Sequence, residues 1–127
     1  MTEERCPFCS ITKDRILLEN DSGFIISDGF PVSPGHSLII PRDHYADFFE
    51  IPEIVRTDLF RLVDEGKRML GSSLDPDGYN IGINSGLAAG QTVQHLHIHL
   101  IPRFSGDQED PRGGVRWIFP DKARYWT

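Results

Sequence analysis

The sequence predicts an α+β domain with five short strands, one long helix and a short N-terminal helical turn. Three observations predict it. Apolar residues recur at helical spacing in one long stretch: Val55, Leu59, Leu62, Val63, Gly66 and Leu70, with Arg56, Asp58, Arg61, Asp64 and Lys67 mostly opposite. The other apolar residues fall in short runs or alternations bounded by turn residues. The length of 127 residues suits a single domain, 1–127, that buries a core without disulfides.

In chain order, residues 6–14 open with Cys6-Pro7-Phe8-Cys9, a knuckle followed by a helical turn. Ile16 to Glu19 and Phe24 to Asp28 read as strands, joined by the hairpin signal Asn20-Asp21-Ser22-Gly23. Phe30-Pro31-Val32-Ser33-Pro34-Gly35 is a Pro/Gly loop, and His36 to Ile40 is a third strand ended by Pro41. Pro52 suits the first turn of the long helix, and Gly71 suits its C-cap. Asp75-Pro76-Asp77-Gly78 is a turn, and Tyr79 to Asn84 alternates as a fourth strand. Ser85 to Gly90 is a small-sided loop, and the fifth strand carries His95, His97 and His99. The domain core spans about 5–104. Asp107 to Asp110 reads as a solvated acidic loop within a 105–127 tail that holds both tryptophans, Trp117 and Trp126. A tail that apolar must dock on its own domain or on a partner subunit.

A formal net charge of −6 argues against a nucleic-acid polymer or an anionic membrane as partner. An anionic small ligand stays open, because local donors outweigh net charge. No apolar run reaches the ~18 residues of a membrane span. Met1 to Arg5 is polar and holds no signal-peptide core, so the expected location is the cytoplasm. The two cysteines, Cys6 and Cys9, are too close to staple a fold and read as a metal or redox pair.

The chemistry concentrates in Gln91-Thr92-Val93-Gln94-His95-Leu96-His97-Ile98-His99. A strand sends alternate side chains to opposite faces, so the three imidazoles share one face while Leu96, Ile98 and Leu100 pack under the other. A neutral imidazole nitrogen is a good nucleophile toward phosphorus. The middle ring is the natural choice, because its neighbours can donate hydrogen bonds or fix its tautomer.

His95-Leu96-His97-Ile98-His99-Leu100-Ile101, led by Gly90-Gln91-Thr92-Val93, resembles the signature of the histidine triad (HIT) superfamily. Phe30 to Pro41 resembles that superfamily's loop and strand before the long helix, and the order of elements fits from about residue 5 to 104. The resemblance implies an antiparallel five-stranded meander sheet with one long helix, usually a homodimer, and a nucleotide-phosphate site. Members cleave at a nucleotide's α-phosphate. The resemblance makes His97 the nucleophile, transiently nucleotidylated, with His99 on a phosphate or bridging oxygen. Gln91, Thr92 and Asn84 stand where they can donate to the same phosphate, and Asp28 takes the place of the family's ribose acceptor. Phe8, Ile26, Phe30 and Leu38 are candidates for the base wall.

Cys6-x-x-Cys9 has a spacing common in tetrahedral zinc sites. Zinc-bearing branches of the superfamily pair such cysteines with histidines at places matching His44 and His95, which implies a structural Zn²⁺ held by Cys6, Cys9, His44 and His95. A redox pair and two independent thiols are the competing readings. His36, on the loop-to-strand step, reads as structural.

The implied function is a histidine-triad nucleotide hydrolase or transferase acting on dinucleoside polyphosphates or nucleoside phosphoramidates. Gln91-Thr92-Val93 and Pro102-Arg103 lean toward the dinucleoside-polyphosphate branch. The alternative is a nucleotide-binding or interaction module with little turnover. The Trp117–Trp126 region is expected to join the dimer or edge the partner's pocket.

Overall fold

The computed structural model describes residues 5–126. Met1 to Glu4, part of the polar stretch read for a missing signal core, and Thr127 lie outside the described residues. The strands are β1 (Ile16–Glu19), β2 (Gly23–Ser27), β3 (Ser37–Pro41), β4 (Gly78–Ile83) and β5 (Ile98–Arg103), and the helix is α1 (Glu53–Leu74). All pairings are antiparallel, in the order β1-β2-β3-β5-β4. The sheet therefore departs from a simple meander. After β3 the chain crosses as α1, descends as the edge strand β4, and returns as β5 between β3 and β4. A 3₁₀ turn at Lys13–Arg15 is the short N-terminal helical turn.

α1 presents Leu59, Leu62, Val63, Gly66 and Leu70 to the sheet, where they meet Ile25, Ile39, Leu96, Ile98 and Leu100. Full burial of each large aliphatic side chain contributes roughly 1.5–3 kcal/mol. The opposite face of the sheet is also covered. Phe24, Ile26, Leu38 and Ile40 form a second cluster beneath Phe8, Ile11 and Ile16 of the N-terminal segment. β2 and β3 are thus buried on both sides and lose the alternation that β5 keeps.

The helix runs past Gly71 to Leu74, and Asp75, in the left-handed region at φ 51°, terminates it. Pro76 disfavours a helical residue before it, so the stop is set by proline rather than by the expected glycine cap. The Ser72 and Ser73 hydroxyls donate back to the Met69 carbonyl, one turn before the helix end.

β5 begins at Ile98, so of the three row histidines only His99 lies in the ladder, a correction to the single histidine strand. The register aligns Ile39 with Ile98, and continuing it would bring Leu96 opposite Pro41, which has no N–H to donate. The chain still alternates through this segment: Leu96, Ile98 and Leu100 are fully buried under α1, and the rings at 95, 97 and 99 turn the other way.

Gly23 lets the β1–β2 hairpin close against α1. A Cβ there would lie 2.6 Å from both the Ile40 carbonyl oxygen and Leu59 Cδ2. The Gly23→Ala variant is expected to lose about 1–3 kcal/mol of unfolding free energy in urea denaturation. An unchanged midpoint would show that the hairpin moves aside without cost.

Candidate active site and metal centre

The knuckle, the loop after β3 and the entry to β5 converge on one corner. Cys6 Sγ lies 3.3 Å from His95 Nδ1, Cys9 Sγ 3.2 Å from His44 Nδ1 and 3.5 Å from His95 Nδ1, and the two Nδ1 atoms are 3.2 Å apart. The four ligand atoms lie within 4.8 Å of one another. Tetrahedral Zn²⁺ with ordinary Zn–S and Zn–N lengths gives edges of about 3.3–3.8 Å, so the donor set fits that ion. His95 Nε2 lies 2.8 Å from the Pro41 carbonyl oxygen. A carbonyl only accepts, so Nε2 carries the proton and Nδ1 keeps its lone pair for a metal. His95 is fully buried, which suits a bracing role.

The same logic assigns His97. Its Nδ1 is 2.9 Å from the carbonyl oxygen of His95, so Nδ1–H donates and Nε2 holds the lone pair. The ring is 8% exposed and lies edge-on to Phe8 at 5.2 Å and to His99 at 5.1 Å. One residue, His95, therefore offers its ring to the metal corner and its carbonyl to the candidate nucleophile.

His36, read from the sequence as structural, is buried against this site, a contact that the sequence reading did not anticipate. Val32 N–H donates to His36 Nδ1 at 3.2 Å, so the neutral ring carries its proton on Nε2. That proton faces His99 Nδ1 at 2.9 Å and Asp28 Oδ2 at 3.3 Å. His99 then accepts at Nδ1 and keeps a donor at Nε2. Gly35, at φ 84°, makes the turn that delivers His36, and a Cβ there would meet Leu74 Cδ1 at 2.7 Å. The sequence carried one usable signal: His36 follows a turn glycine and precedes the buried run Ser37–Pro41.

Burial pushes the His36 pKa below the ordinary imidazole value, with Asp28 pulling the other way. The His99 pKa is pushed down to about 4, first by burial, then by the neighbouring His97 and His36 rings, against an opposing pull from Asp28. The His99 ring is therefore neutral at pH 7. Asp28 accepts the Phe30 N–H on Oδ1 at 2.8 Å and points Oδ2 at His36 and His99.

A cavity of about 370 Å³ is lined by His36, His99 and Asn84 together with Val32, Ile81 and Gly82. Of the sequence-predicted site residues, Asn84 and His99 line it, whereas His97, Gln91, Thr92 and Asp28 do not. Gln91 and Thr92 stand in the preceding turn. The Gln91 side chain is buried, donating to the carbonyls of Ala46 (2.7 Å) and Val93 (3.1 Å) and accepting from Gly86 N–H at 2.8 Å. It clamps the 86–93 turn to the segment after β3. Thr92 is exposed. Of the base-wall candidates, Phe8, Ile26 and Leu38 share one cluster, whereas Phe30 is 91% exposed on the loop.

The tail docks on its own chain. Gly114 and Val115 line the same cavity as His36 and His99. Asp107 takes two hydrogen bonds of 2.8 Å from Arg103, which hold its carboxyl well below the usual range, and Arg112 pairs with Asp110 at 3.0 Å. The acidic stretch is therefore tied down in part by ion pairs rather than wholly solvated.

A five-stranded antiparallel sheet with one long helix, carrying a histidine row beside a Cys₂His₂ corner, defines a small and specific class. A family model described as the HIT domain matches residues 11–106. A Zn-bound histidine triad family protein from Mycobacterium smegmatis has the same fold, with TM-score 0.77 and 32% identity over 86% of this chain and 82% of that one. A HIT-like protein from Saccharolobus solfataricus is 39% identical over 108 residues, 82% of this chain and 78% of its own. The adenosine 5′-monophosphoramidase hnt1 of Schizosaccharomyces pombe is 34% identical over 116 residues, 88% and 82% of the two chains. The chain belongs to the HIT domain family. Among the described residues no helix is long and apolar enough to cross a membrane.

The depressed His99 pKa has a defined sign. The unfolded chain binds a proton near the ordinary imidazole value while the folded chain resists it down to about 4. This contribution to stability is full above about pH 6.5 and is lost as pH falls toward 4. His99→Asn is expected to flatten the pH dependence of Tm between those values relative to wild type. Parallel curves would remove His99 from the acid response.

Proposed function

We propose that this protein is a nucleotide hydrolase that cleaves nucleotide conjugates at the α-phosphate through a nucleotidyl-histidine intermediate on His97. The observation that carries this reading is the hydrogen bond between His97 Nδ1 and the His95 carbonyl, which fixes the lone pair on Nε2. Nε2 attacks the α-phosphorus and a P–N bond forms. The bond from phosphorus to the leaving group breaks, its electron pair going with the leaving atom. Water then attacks phosphorus: a P–O bond forms, the P–N bond breaks with its electron pair returning to Nε2, and the proton of the water is lost to solvent as the nucleoside monophosphate leaves.

His99 donates from Nε2 to a phosphate or bridging oxygen, acting as a neutral donor because its pKa lies near 4. Asn84 and Thr92 donate to the same phosphate. Gln91 serves the phosphate by holding the turn that presents it. Asp28 receives the ribose hydroxyls on Oδ2 and steadies His36 from the same atom. The HIT relative named as an adenosine 5′-monophosphoramidase supports an AMP conjugate as substrate.

Cys6, Cys9, His44 and His95 would hold a structural Zn²⁺, which supplies a rigid cross-link between the knuckle and the entry to β5. A cytoplasmic homodimer is the working form. Exposed Ile54 and Phe60 on α1 and Ile81 on the edge strand β4 support the pairing.

His97→Ala is expected to lower AMP release from adenosine phosphoramidate or diadenosine polyphosphate by roughly a thousandfold or more. Turnover at the wild-type rate would remove His97 as nucleophile. Purified protein is expected to carry about one zinc per chain by elemental analysis, and Cys9→Ser to lower both metal content and Tm. Less than half an equivalent in wild type would sink the zinc assignment.

A further inference from the structure

The metal corner is closed on one side and open on the other. Cys6 is 2% exposed, whereas Cys9 stands at the surface. The histidines divide the same way, with His95 fully buried and His44 half-buried. A ligand set buried on every side is out of an oxidant's reach, and here one sulfur is within it. The two sulfurs are also set to bond to each other. Cys9 N–H donates to the Cys6 carbonyl at 3.2 Å, which closes a four-residue turn. Such a turn holds its first and last Cα atoms within about 7 Å, the span a disulfide accepts. Both sulfurs point at one atom: His95 Nδ1 lies 3.3 Å from Cys6 Sγ and 3.5 Å from Cys9 Sγ.

Phe8 lies between the two cysteines in sequence. Its ring is edge-on to His95 at 5.9 Å and to His97 at 5.2 Å, and it packs on the cluster of Phe24, Ile26, Leu38 and Ile40. The knuckle that the two sulfurs anchor therefore also covers His97. A change at the sulfurs reaches that ring through Phe8.

We propose that Cys6 and Cys9 are a peroxide-sensitive thiol pair, whose oxidation to a disulfide expels the metal and releases the knuckle that covers His97. The inference rests on the zinc reading above and adds a modification site to it. Cys9, the exposed sulfur, reacts first. Its thiolate attacks one oxygen of hydrogen peroxide: an S–O bond forms, the O–O bond breaks, and the electron pair leaves on the other oxygen, which takes a proton from solvent. Sulfur is oxidised, peroxide is reduced, and Cys9 carries a sulfenic acid. The buried Cys6 thiolate then attacks that sulfur. The S–S bond forms, the S–O bond breaks, and hydroxide leaves and takes a second proton. Two thiolates, one hydrogen peroxide and two protons thus give one disulfide and two waters. A disulfide holds no thiolate, so two of the four ligands are lost, and His44 and His95 alone do not make a structural zinc site.

Zinc release from the purified protein under hydrogen peroxide, followed with a colorimetric chelator, tests this alongside mass spectrometry of the tryptic peptide Cys6–Lys13. Wild type is expected to release about one zinc per chain in step with the loss of two hydrogens from that peptide, and a dithiol with added zinc to reverse both. Dimedone is expected to trap a sulfenic acid on Cys9 in Cys6→Ser, while Cys6 in Cys9→Ser reacts at least about tenfold more slowly. Amide hydrogen exchange across residues 6–10 and 95–99 is expected to rise at least about fivefold on oxidation. Zinc that stays bound until the methionines are oxidised overturns the proposal. So does a Cys9 sulfinic acid formed with no disulfide, a disulfide that joins two chains, or unchanged exchange across both segments. The wild-type measurements decide the matter even where a cysteine variant fails to fold. Protein purified without zinc is a separate outcome, which defeats the zinc reading and metal expulsion with it.

Discussion

The structure depends on the position of β5 between β3 and β4. A central strand under a helix must bury one side completely, and Leu96, Ile98 and Leu100 do so with no residual exposure. Strand geometry then commits the alternate residues to the opposite face. His97, His99, Ile101 and Arg103 are aligned because their neighbours cannot leave the core. The same burial gives the row its precision. A shift of one residue would exchange the imidazoles with three aliphatic side chains, at a cost of several kcal/mol.

Alignment alone would leave each imidazole free to choose a tautomer, and the backbone removes that freedom. The Pro41 carbonyl holds the proton of His95 on Nε2, and the His95 carbonyl holds that of His97 on Nδ1. The Val32 N–H sets His36, which sets His99. Every ring thus presents one defined nitrogen outward: a lone pair at His95 Nδ1 and His97 Nε2, a donor at His99 Nε2. These are different chemical groups made from one residue type. His95 also ties two places together, since its ring faces the Cys6 and Cys9 sulfurs and its carbonyl fixes the tautomer of His97.

How much of this was legible in the sequence follows the range of the interactions. The helix face, the five strands and the Leu/His alternation are local periodicities and were readable to within a few residues. The Cys₂His₂ corner was readable because the CxxC spacing and the family resemblance together named the four residues that cluster there. His36 was not, because its partners are His99, 63 positions away, and Asp28, and only the β3–β5 register brings them together. The early end of the β5 ladder came from Pro41 on a different strand. Gln91 was read as an outward donor because loop polarity does not reveal a side chain turned inward to Ala46 and Val93. The strand order was hidden for a related reason. Nothing local says that β4 takes the edge and β5 the centre, although a row flanked by fully buried residues suits a central strand better than an edge.

The tail is where local signal says least and where the fold adds most. Its tryptophans read as apolar surface in search of cover, with a partner subunit as the favoured cover. In the structure the segment folds into 3₁₀ turns held by its own contacts: Arg116 to the Ala123 carbonyl, Trp117 to the Arg112 carbonyl, and Arg112 over Trp126. These are short-range bonds, with partners five to seven positions apart for the first two, yet no helical or strand period announces them. Ala123 is fully buried at their centre. A segment fixed by its own hydrogen bonds can vary its outward residues without disturbing the sheet. The histidine row is confined by the core beneath it, whereas the tail that lines the cavity beside His99 is not. The histidine row and the tail are therefore under different physical constraint.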